Sequence, residues 1–503
     1  MMERRTGKGT NPWDWFRRLM FWEPGKMQRL GIGAGITIAF FALCLWMQAE
    51  LVGAPVIAVC AALCLALLLA EGWRAKKKRP LVLLLMTALL FMLGISAHLS
   101  LIKVSPGRMK SVLRPMLDGM WNYDLPVAMA WEPESWSGGY LIFMALLSRL
   151  EVFPPLYAVK LFDLVSLSFA AVALSQLAAA RGAGAPGRIA AEASALLLPT
   201  VLMNAGAWAQ CDAVFAALSL WGLVFFLKDH PWAGCASFGA ALAFKLQSAF
   251  LFPLLPVLFM KKRLRLRQLA ALAAAFLIFH LPMLLEGQGL ASALGRYGRQ
   301  IRVTAYGEET EEEEGSDEDA AWFDTEPTDG EEEGDAEPEP LPTHEGLAEH
   351  AASVYSLMTV ASVREFSGMG LYLSLASALI VIFALLRSKT NLTNDVLLTA
   401  ALLLSCGLPL ILPQMNARML FLAGLLSLTR LNSPLRALQA ALLETVSLCC
   451  YVEAIFSSET LTATVLPVNL LSLIAIAVAC SVAWELFTAL TGRNSRGLND
   501  EPA

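Results

Sequence analysis

The sequence predicts an all-α polytopic membrane protein, a bundle of about 13 to 14 transmembrane helices with loops on its outer face. Hydrophobic residues make up 56% of the 503 residues, and charged residues make up only 16%. A single soluble core cannot bury so much apolar surface. Long apolar runs recur along the chain, and at a rise of about 1.5 Å per residue most are long enough to cross about 30 Å of hydrocarbon.

The predicted helices follow one another with short polar segments between them. The apolar runs cover residues 30–50, 54–71, 81–102, 155–179, 188–205, 213–228, 232–260, 268–286, 367–387, 393–412, 417–430, 436–456 and 464–489. The run at 232–260 is too long for one crossing and is best split into two short legs. A shorter run at 140–147 favours a re-entrant or interfacial segment.

Basic clusters orient these helices, because short loops rich in Lys and Arg stay in the cytoplasm. The clusters lie in the leader and at residues 76–79, 181–188, 261–267, 387–389, 430–436 and 493–496. With about fourteen crossings, both termini and all of these clusters fall on the cytoplasmic side. Most other connections, including 103–139, the turn at Asp212 and 287–366, then fall outside. We therefore expect a multi-pass protein of the plasma membrane, surrounded by membrane lipid, with no nucleic-acid partner.

Composition divides the chain into six segments. These are a cytoplasmic basic and aromatic leader (1–28), an extra transmembrane hairpin (29–79), a transmembrane core (80–306), an acidic insertion (307–350), C-terminal transmembrane helices (351–490) and a cytoplasmic tail (491–503). The leader lacks a cleavage site, so we expect it to be retained as a helix at the inner headgroup layer.

The acidic insertion is predicted to be disordered and extracytoplasmic. Residues 308–349 hold 20 Asp and Glu and no Lys or Arg, whereas the rest of the chain carries 23 acids against 38 bases. Such a segment cannot bury enough apolar surface to fold alone. A binder of divalent cations or cationic wall components fits this composition, but a solvated spacer is favoured because like-charge runs usually form disordered loops.

Ionisable and amide side chains lie at the ends of two apolar runs in the middle of the chain. Trp208-Ala-Gln-Cys-Asp212 precedes one run, and Lys245-Leu-Gln247 interrupts the next. A charge at membrane depth is costly unless it is paired, hydrated or used, so Gln210, Asp212, Lys245 and Gln247 are candidate binding residues. For Asp212 the alternative is a helix N-cap. Lys245 either contacts a phosphate or extends its ammonium to the outer surface.

These motifs resemble the PIG-V-like branch of the GT-C glycosyltransferases, whose bacterial members are GPI-mannosyltransferase-like. The resemblance covers roughly residues 80–430 and is carried by Tyr140, Pro154-Pro155, Lys160, Gln210, Asp212, Lys245, Gln247 and Pro253. It implies a GT-C-like core at 80–306 that transfers a hexose, with mannose expected, from a polyprenyl-phosphate donor to an envelope glycan or lipid acceptor. We expect no cofactor, and we expect no metal because the nine cysteines lack CxxC or Cys/His metal spacing. The resemblance adds Tyr140 to the expected substrate contacts.

Two loci depart from the family pattern. Where the family carries an acidic residue in the first outer loop, this chain has Arg108, which we expect to contact substrate instead. The family motif Pro-x-Met-His-Glu-Arg-Tyr appears as Pro413-Gln-Met-Asn-Ala-Arg418-Met, which keeps only the Arg among its polar residues. Transfer needs a carboxylate base for the acceptor and cations for the departing phosphate. Either Asp118 or Asp124 is therefore a replacement base, or the chain does not catalyse.

Three functions remain open from the sequence. The chain is a glycosyltransferase, a catalytically inactive paralogue that scaffolds envelope-glycan assembly proteins, or a transporter of a lipid-linked glycan. Discontinuous helices in paired repeats would support the transporter. The aromatic residues around Asp118 and Asp124 suit either sugar stacking or an interfacial belt. They are Trp121, Tyr123, Trp131 and Trp136.

Other ionisable residues also lie within apolar runs, and the carboxyl of Glu444 among them is a site candidate by default. Asp163 lies three residues after Lys160, so the two are expected to neutralise each other on one helix face. Glu444 has no partner close in sequence and is expected to be protonated or to face the bundle. His280 is interpreted as a satisfied core residue.

Overall fold

The computed structural model describes residues 12–75, 80–105, 114–130, 137–150, 152–285, 289–306, 351–358, 360–388, 392–413, 415–456 and 466–491. Within these ranges all regular structure is helical. The α-helices are α1 Pro12–Met20, α2 Lys26–Val52, α3 Ala54–Arg74, α4 Leu81–Ser100, α5 Arg114–Asn122, α6 Leu125–Ala130, α7 Gly138–Leu147, α8 Pro155–Ala180, α9 Ala185–Leu197, α10 Pro199–Val201, α11 Asp212–Leu227, α12 Pro231–Phe244, α13 Leu254–Met260, α14 Leu269–Leu285, α15 Leu290–Tyr306, α16 Val360–Arg387, α17 Asn394–Ile411, α18 Phe421–Ser427, α19 Pro434–Phe456 and α20 Val468–Thr491.

Ten stretches of the described chain are helical, long and apolar enough to cross a membrane. They contain 18 to 26 residues each, which matches the thickness of the hydrocarbon layer. Five shorter apolar helices of 10–17 residues lie among them. The prediction of an all-α polytopic membrane protein is thus confirmed. The run at 232–260 is divided, as predicted, into two short legs that meet at Lys245.

The N-terminal helices pack directly on the rest of the bundle. α2 and α3 form a hairpin whose turn contains Gly53 at φ 93°, a conformation that glycine adopts without a steric penalty. α3 also contacts α4 and α8. Arg74 at its end lies 2.7 Å from Glu192 of α9 and 3.4 Å from Glu71. These buried charges fasten the predicted hairpin of residues 29–79 to the core.

The most buried part of the bundle includes α7, α8, α9, α11 and α12, and the more exposed α14 packs against α12 and α7. Glycines lie at the helix crossings and let the helix backbones approach closely. A Cβ at Gly139 of α7 would lie 2.6 Å from the carbonyl oxygen of Ala243, and one at Gly239 of α12 would overlap the carbonyl oxygen of Leu272 in α14. α7 has ten residues, too few to cross the membrane, and eight of them are buried against neighbouring helices. Its re-entrant or interfacial position stays a prediction.

Two chain segments leave helical geometry at the ends of apolar helices of the bundle. Residues 202–207 form a π-helical turn, and the chain then runs without a regular helix until α11 begins at Asp212. In the second segment α12 ends, Lys245 is extended with φ −160° and ψ 131°, and a 3₁₀ turn at 246–251 follows. Backbone groups released in this way need other partners, because lipid supplies none.

Side chains satisfy the backbone at the second break. The hydroxyl of Tyr297 donates to the carbonyl oxygen of Ala243 at 3.0 Å, and the hydroxyl of Ser137 donates to that of Phe244. Both carbonyls belong to the last turn of α12, where intrahelical donors are missing. The break is therefore held from two sides, by α15 and by the residue before α7.

A network of charged side chains links the helices at the end of the bundle away from the two helix breaks. Asp395, in the first turn of α17, contacts Arg181 at the end of α8 and lies 3.4 Å from Arg436. Glu485 of α20 contacts Arg430 and lies 3.1 Å from Arg436. Because Asp395 lies at the start of α17, the turn that follows α17 lies at the opposite end of this helix from the network.

Candidate functional site

A buried ion pair joins the two helix breaks. Asp212 is fully buried as the first residue of α11, and its carboxylate contacts the ammonium of Lys245. Its second oxygen accepts a hydrogen bond of 2.7 Å from the Asn204 amide, which also donates to the Tyr451 hydroxyl at 2.7 Å. Asn204 and Tyr451 are also fully buried. The carboxylate thus has the cation and the extra hydrogen bond that a buried charge requires.

The backbone before α11 turns this carboxylate inward. Ala209 adopts φ 51°, which is uncommon for a residue with a Cβ, and the Gln210 N–H donates to the Asn204 carbonyl at 3.1 Å. The N-cap alternative for Asp212 is wrong, because Cys211 holds that position and no side chain caps the helix. The Asp212 carboxylate is instead directed to Lys245 and Asn204.

Lys245 reaches Asp212 because it lies outside helical geometry. Its N–H still donates to the Ala241 carbonyl at 3.0 Å, but its extended backbone directs the side chain towards α11. The ammonium also lies 5.6 Å from the ring centroid of Phe215. The side chain is 16% exposed, so Asp212 rather than the outer surface stabilises its charge.

Arg418 brings a third part of the chain to this place. It lies in the turn between α17 and α18, and its guanidinium donates to the side-chain oxygen of Gln210, 208 residues away. It also lies 5.4 Å from the ring centroid of Trp208 and 3.4 Å from the Asn416 side-chain oxygen. The described hydrogen-bond partners of Arg418 are therefore neutral, so its positive charge is retained beside Asp212, with which it interacts electrostatically.

Two more predicted residues lie at the same end. The amide of Gln247 contacts the sulfur of Met419 at 3.4 Å, next to Arg418. Tyr140, at the start of α7, is 7% exposed and lies within electrostatic range of Arg418 and Asp212. Six candidate binding residues therefore form one group, which we call the break cluster: Gln210, Asp212, Lys245, Gln247, Arg418 and Tyr140.

The segment that follows the acidic insertion supports the Arg418 turn. Ser353 and Ser356 both hydrogen-bond to the hydroxyl of Ser472 in α20. The hydroxyl of Tyr355 then donates to the carbonyl oxygen of Ile411 at 2.8 Å, in the last turn of α17. Burial raises the pKa of the Tyr355 phenol above its usual value, so the group remains a neutral donor.

Lys160 and Asp163 interact electrostatically, as predicted, but among the described residues no hydrogen bond or direct ion pair joins them. The ammonium of Lys160 donates to the carbonyl oxygens of Leu101 and Val104, at 2.7 Å and 2.6 Å. Within the described ranges, neither oxygen of Asp163 has a hydrogen-bond partner, although the residue is fully buried. Spacing along α8 places both side chains on one face, but the long lysine stem reaches the carbonyls released at the end of α4.

The two candidate bases lie outside the buried part of the break cluster. Asp118 on α5 and Asp124 before α6 are both exposed. The Arg149 guanidinium donates to the carbonyl oxygens of Met120 and Trp121 at 3.0 Å and 3.2 Å, so a cation stabilises the end of α5. α5 packs against α7 and α8.

Several expectations fall on residues outside the described ranges. These are the substrate contact of Arg108, the aromatic surroundings supplied by Trp131 and Trp136, and the acidic segment 308–349.

Two of the intramembrane polar residues are satisfied as interpreted. His280 is fully buried, with one ring nitrogen 2.8 Å from the Phe276 carbonyl oxygen and the other 3.2 Å from the Tyr297 hydroxyl. Glu444 faces the bundle and accepts a hydrogen bond of 2.6 Å from Thr200, 244 residues away.

Sequence reasoning did not identify Asn204 and Tyr451 as residues that contact the break cluster. It also did not predict that Asp163 has no hydrogen-bond partner among the described residues. A signal existed for Asn204, since an amide within an apolar run is a site candidate by default. The sequence contains no such signal for Tyr451, because tyrosine is usual near the ends of membrane helices. Within the described ranges, no three His, Cys, Asp or Glu residues are grouped as a metal would need. The sequence matches no protein-family model and no curated protein.

Proposed function

We propose that the break cluster binds the phosphate-linked head of a lipid-linked sugar, of the polyprenyl-phosphate class. The observation that carries this proposal is Arg418, whose described hydrogen-bond partners are neutral while its guanidinium is partly buried. A guanidinium fork fits two phosphate oxygens, and its charge strengthens both hydrogen bonds. The resemblance to GT-C glycosyltransferases, which use such donors, supports the same ligand class.

Lys245, the second cation of the break cluster, has a different role from Arg418 in the proposed site. Lys245 is already neutralised by Asp212, so it contributes less net attraction for an anion than Arg418 does. It holds the start of α11 and the break after α12 together, and this fixes Gln210 next to Arg418. Lys245 is therefore chiefly a positioning residue for the phosphate contact.

The orientation of the chain belongs to the same proposal. The end that carries Arg181, Arg430 and Arg436 faces the cytoplasm of a plasma-membrane protein, because basic residues concentrate there. The break cluster and the acidic insertion then face outwards, where polyprenyl-linked sugars are used in envelope assembly. Both chain termini lie on the cytoplasmic side.

Donor binding has better support in this chain than sugar transfer, the second step of a glycosyltransferase reaction. Arg108 stands where the family has its acidic residue, and a guanidinium is always protonated and cannot take a proton from an alcohol. Asp118 and Asp124 are the remaining candidate bases, and both are exposed to solvent. We therefore propose a sugar-lipid-binding paralogue with weak or absent transfer of mannose, acting beside active envelope-glycan transferases.

Replacing Arg418 with glutamine is expected to weaken the binding of polyprenyl-phosphate mannose by about ten- to a hundredfold, the effect of losing a charge-assisted hydrogen bond. Binding to purified protein in detergent measures this directly. Lys103→Gln is the matched control, since Lys103 is an exposed cation after α4 and outside the cluster. Equal affinities in the wild type and both variants, or no binding by the wild type, would contradict the proposal.

A transfer assay separates the paralogue from an active enzyme. With polyprenyl-phosphate mannose as donor, we expect the wild type to release little or no glycosylated product. If instead transfer is robust and falls by about two orders of magnitude in Asp118→Asn or Asp124→Asn, that carboxylate is the base and the protein is a mannosyltransferase. Robust transfer in the wild type would end the inactive-paralogue proposal.

A lipid-linked-glycan transporter is the second candidate, favoured by one observation. Two discontinuous segments, at 202–211 and at Lys245, face each other across the Asp212–Lys245 pair. Transporters place binding sites between broken helices of this kind. Movement of a lipid-linked glycan across liposome membranes by the purified protein would favour this candidate over a static binding protein.

A further inference from the structure

A carboxyl group beside the break cluster has no hydrogen-bond partner in the part of the chain that the structure describes. Asp163 lies on α8 with no exposed surface, and neither of its oxygens accepts a hydrogen bond from a described residue. A charged carboxylate in this position would lose its hydration and gain only the longer-range attraction of Lys160 and Lys245, without a direct hydrogen bond or ion contact, which is unfavourable in a folded protein.

The cations near Asp163 are directed elsewhere. Lys160 places its ammonium between the carbonyl oxygens of Leu101 and Val104, and Lys245 places its ammonium on Asp212. The titratable and charged groups around this carboxyl are Lys160 on its own helix, Tyr140 on α7, Cys211 and Asp212 at the start of α11, and Lys245 after α12. Two carboxyl groups thus compete for one lysine.

We propose that Asp163 is an intramembrane proton-binding site that shares Lys245 with Asp212. In the described state Asp163 holds a proton as a neutral carboxylic acid, and Lys245 pairs with Asp212. When the O–H bond of Asp163 breaks, the electron pair stays on the carboxylate and the proton passes to water at this end of the bundle. The new charge then draws the Lys245 ammonium away from Asp212.

This site goes beyond the proposed ligand binding and does not depend on it. A proton held or released here changes the net charge beside Asp212 and Lys245 of the break cluster by one unit. The protonated state therefore favours an anionic ligand, and the deprotonated state opposes one. The same change loosens the contact between the two helix breaks, which lies at the centre of the bundle.

Infrared spectroscopy tests the proposal without any ligand. A protonated carboxylic acid has a carbonyl stretch that a carboxylate lacks, so the wild type at neutral pH is expected to show this band and Asp163→Asn to lose it. Asp118→Asn removes an exposed acid and is expected to leave the band unchanged. Identical spectra in this region for the wild type and Asp163→Asn would overturn the proposal.

Two further measurements cover other outcomes. In the wild type alone, the band is expected to disappear as the pH is raised, which tests the site even if Asp163→Asn does not fold. A bound monovalent cation is the competing explanation, and it predicts no acid band together with thermal stability that falls when Na⁺ and K⁺ are replaced by choline. That pair of results would overturn the proton site, whereas stability independent of these cations supports it.

Discussion

Replacing Lys245 with methionine is expected to destabilise the folded protein by about 3–5 kcal/mol, the effect of leaving a buried carboxylate without its cation. Asp212 has no exposed surface, so water cannot take the place of the ammonium. The hydrogen bond from Asn204 remains, but one neutral donor does not balance a full charge. Unfolding of the purified protein in detergent, followed by circular dichroism, measures the change.

A double substitution separates charge from packing. Lys245→Met combined with Asp212→Asn removes both charges and keeps similar volumes, so it is expected to recover most of the lost stability. Lys103→Met serves as the control for removing an exposed cation. If Lys245→Met and Lys103→Met have equal effects on unfolding, the buried pair does not hold the two helix breaks together.

Two glycine-to-alanine substitutions are expected to change the stability of the folded protein in opposite directions. Gly239→Ala places a methyl group on the carbonyl oxygen of Leu272, so α12 and α14 must separate, and we expect a destabilisation of about 1–3 kcal/mol. Gly407→Ala on α17 places its methyl group 3.8 Å from the Leu403 side chain, an ordinary contact. There the better helix propensity of alanine is expected to stabilise the protein by up to about 1 kcal/mol.

The comparison of the two glycine variants also tests the packing of the core. Thermal unfolding in the same detergent gives both values, and the shared Gly→Ala change cancels the general effect on the unfolded chain. A Gly239→Ala protein as stable as Gly407→Ala would show that α12 and α14 are not in backbone contact.

Hydrophobic runs predict most of this fold, because a membrane helix needs about 20 apolar residues in succession. The ends of the shorter helices have weaker sequence signals. α12 has 14 residues because the extended Lys245 ends it, and neither Phe244 nor Leu246 carries a helix-stop signal such as glycine or proline. The break depends on hydrogen bonds from Tyr297 and Ser137, which are distant in sequence from Lys245.

The candidate site was predictable as a set of residues but not as a set of contacts. Intramembrane polarity identifies Asp212 and Lys245 individually, whereas their pairing depends on two irregular backbone segments that no pattern predicts. Asp163 shows the opposite case. Helical spacing predicts a partner for it, but Lys160 bonds to carbonyl oxygens released at the end of α4, so tertiary structure overrides the local rule.

A residue with an extended backbone between two helical segments usually lets these segments bend relative to each other. After α12 the backbone is fixed, because two hydroxyl groups from separate segments hold the last two carbonyl groups of the helix. The backbone at Lys245, and the direction in which its side chain leaves that backbone, are thus set when the protein folds. A ligand that reaches this end of the bundle meets a preorganised surface, and little conformational entropy remains to be lost on binding.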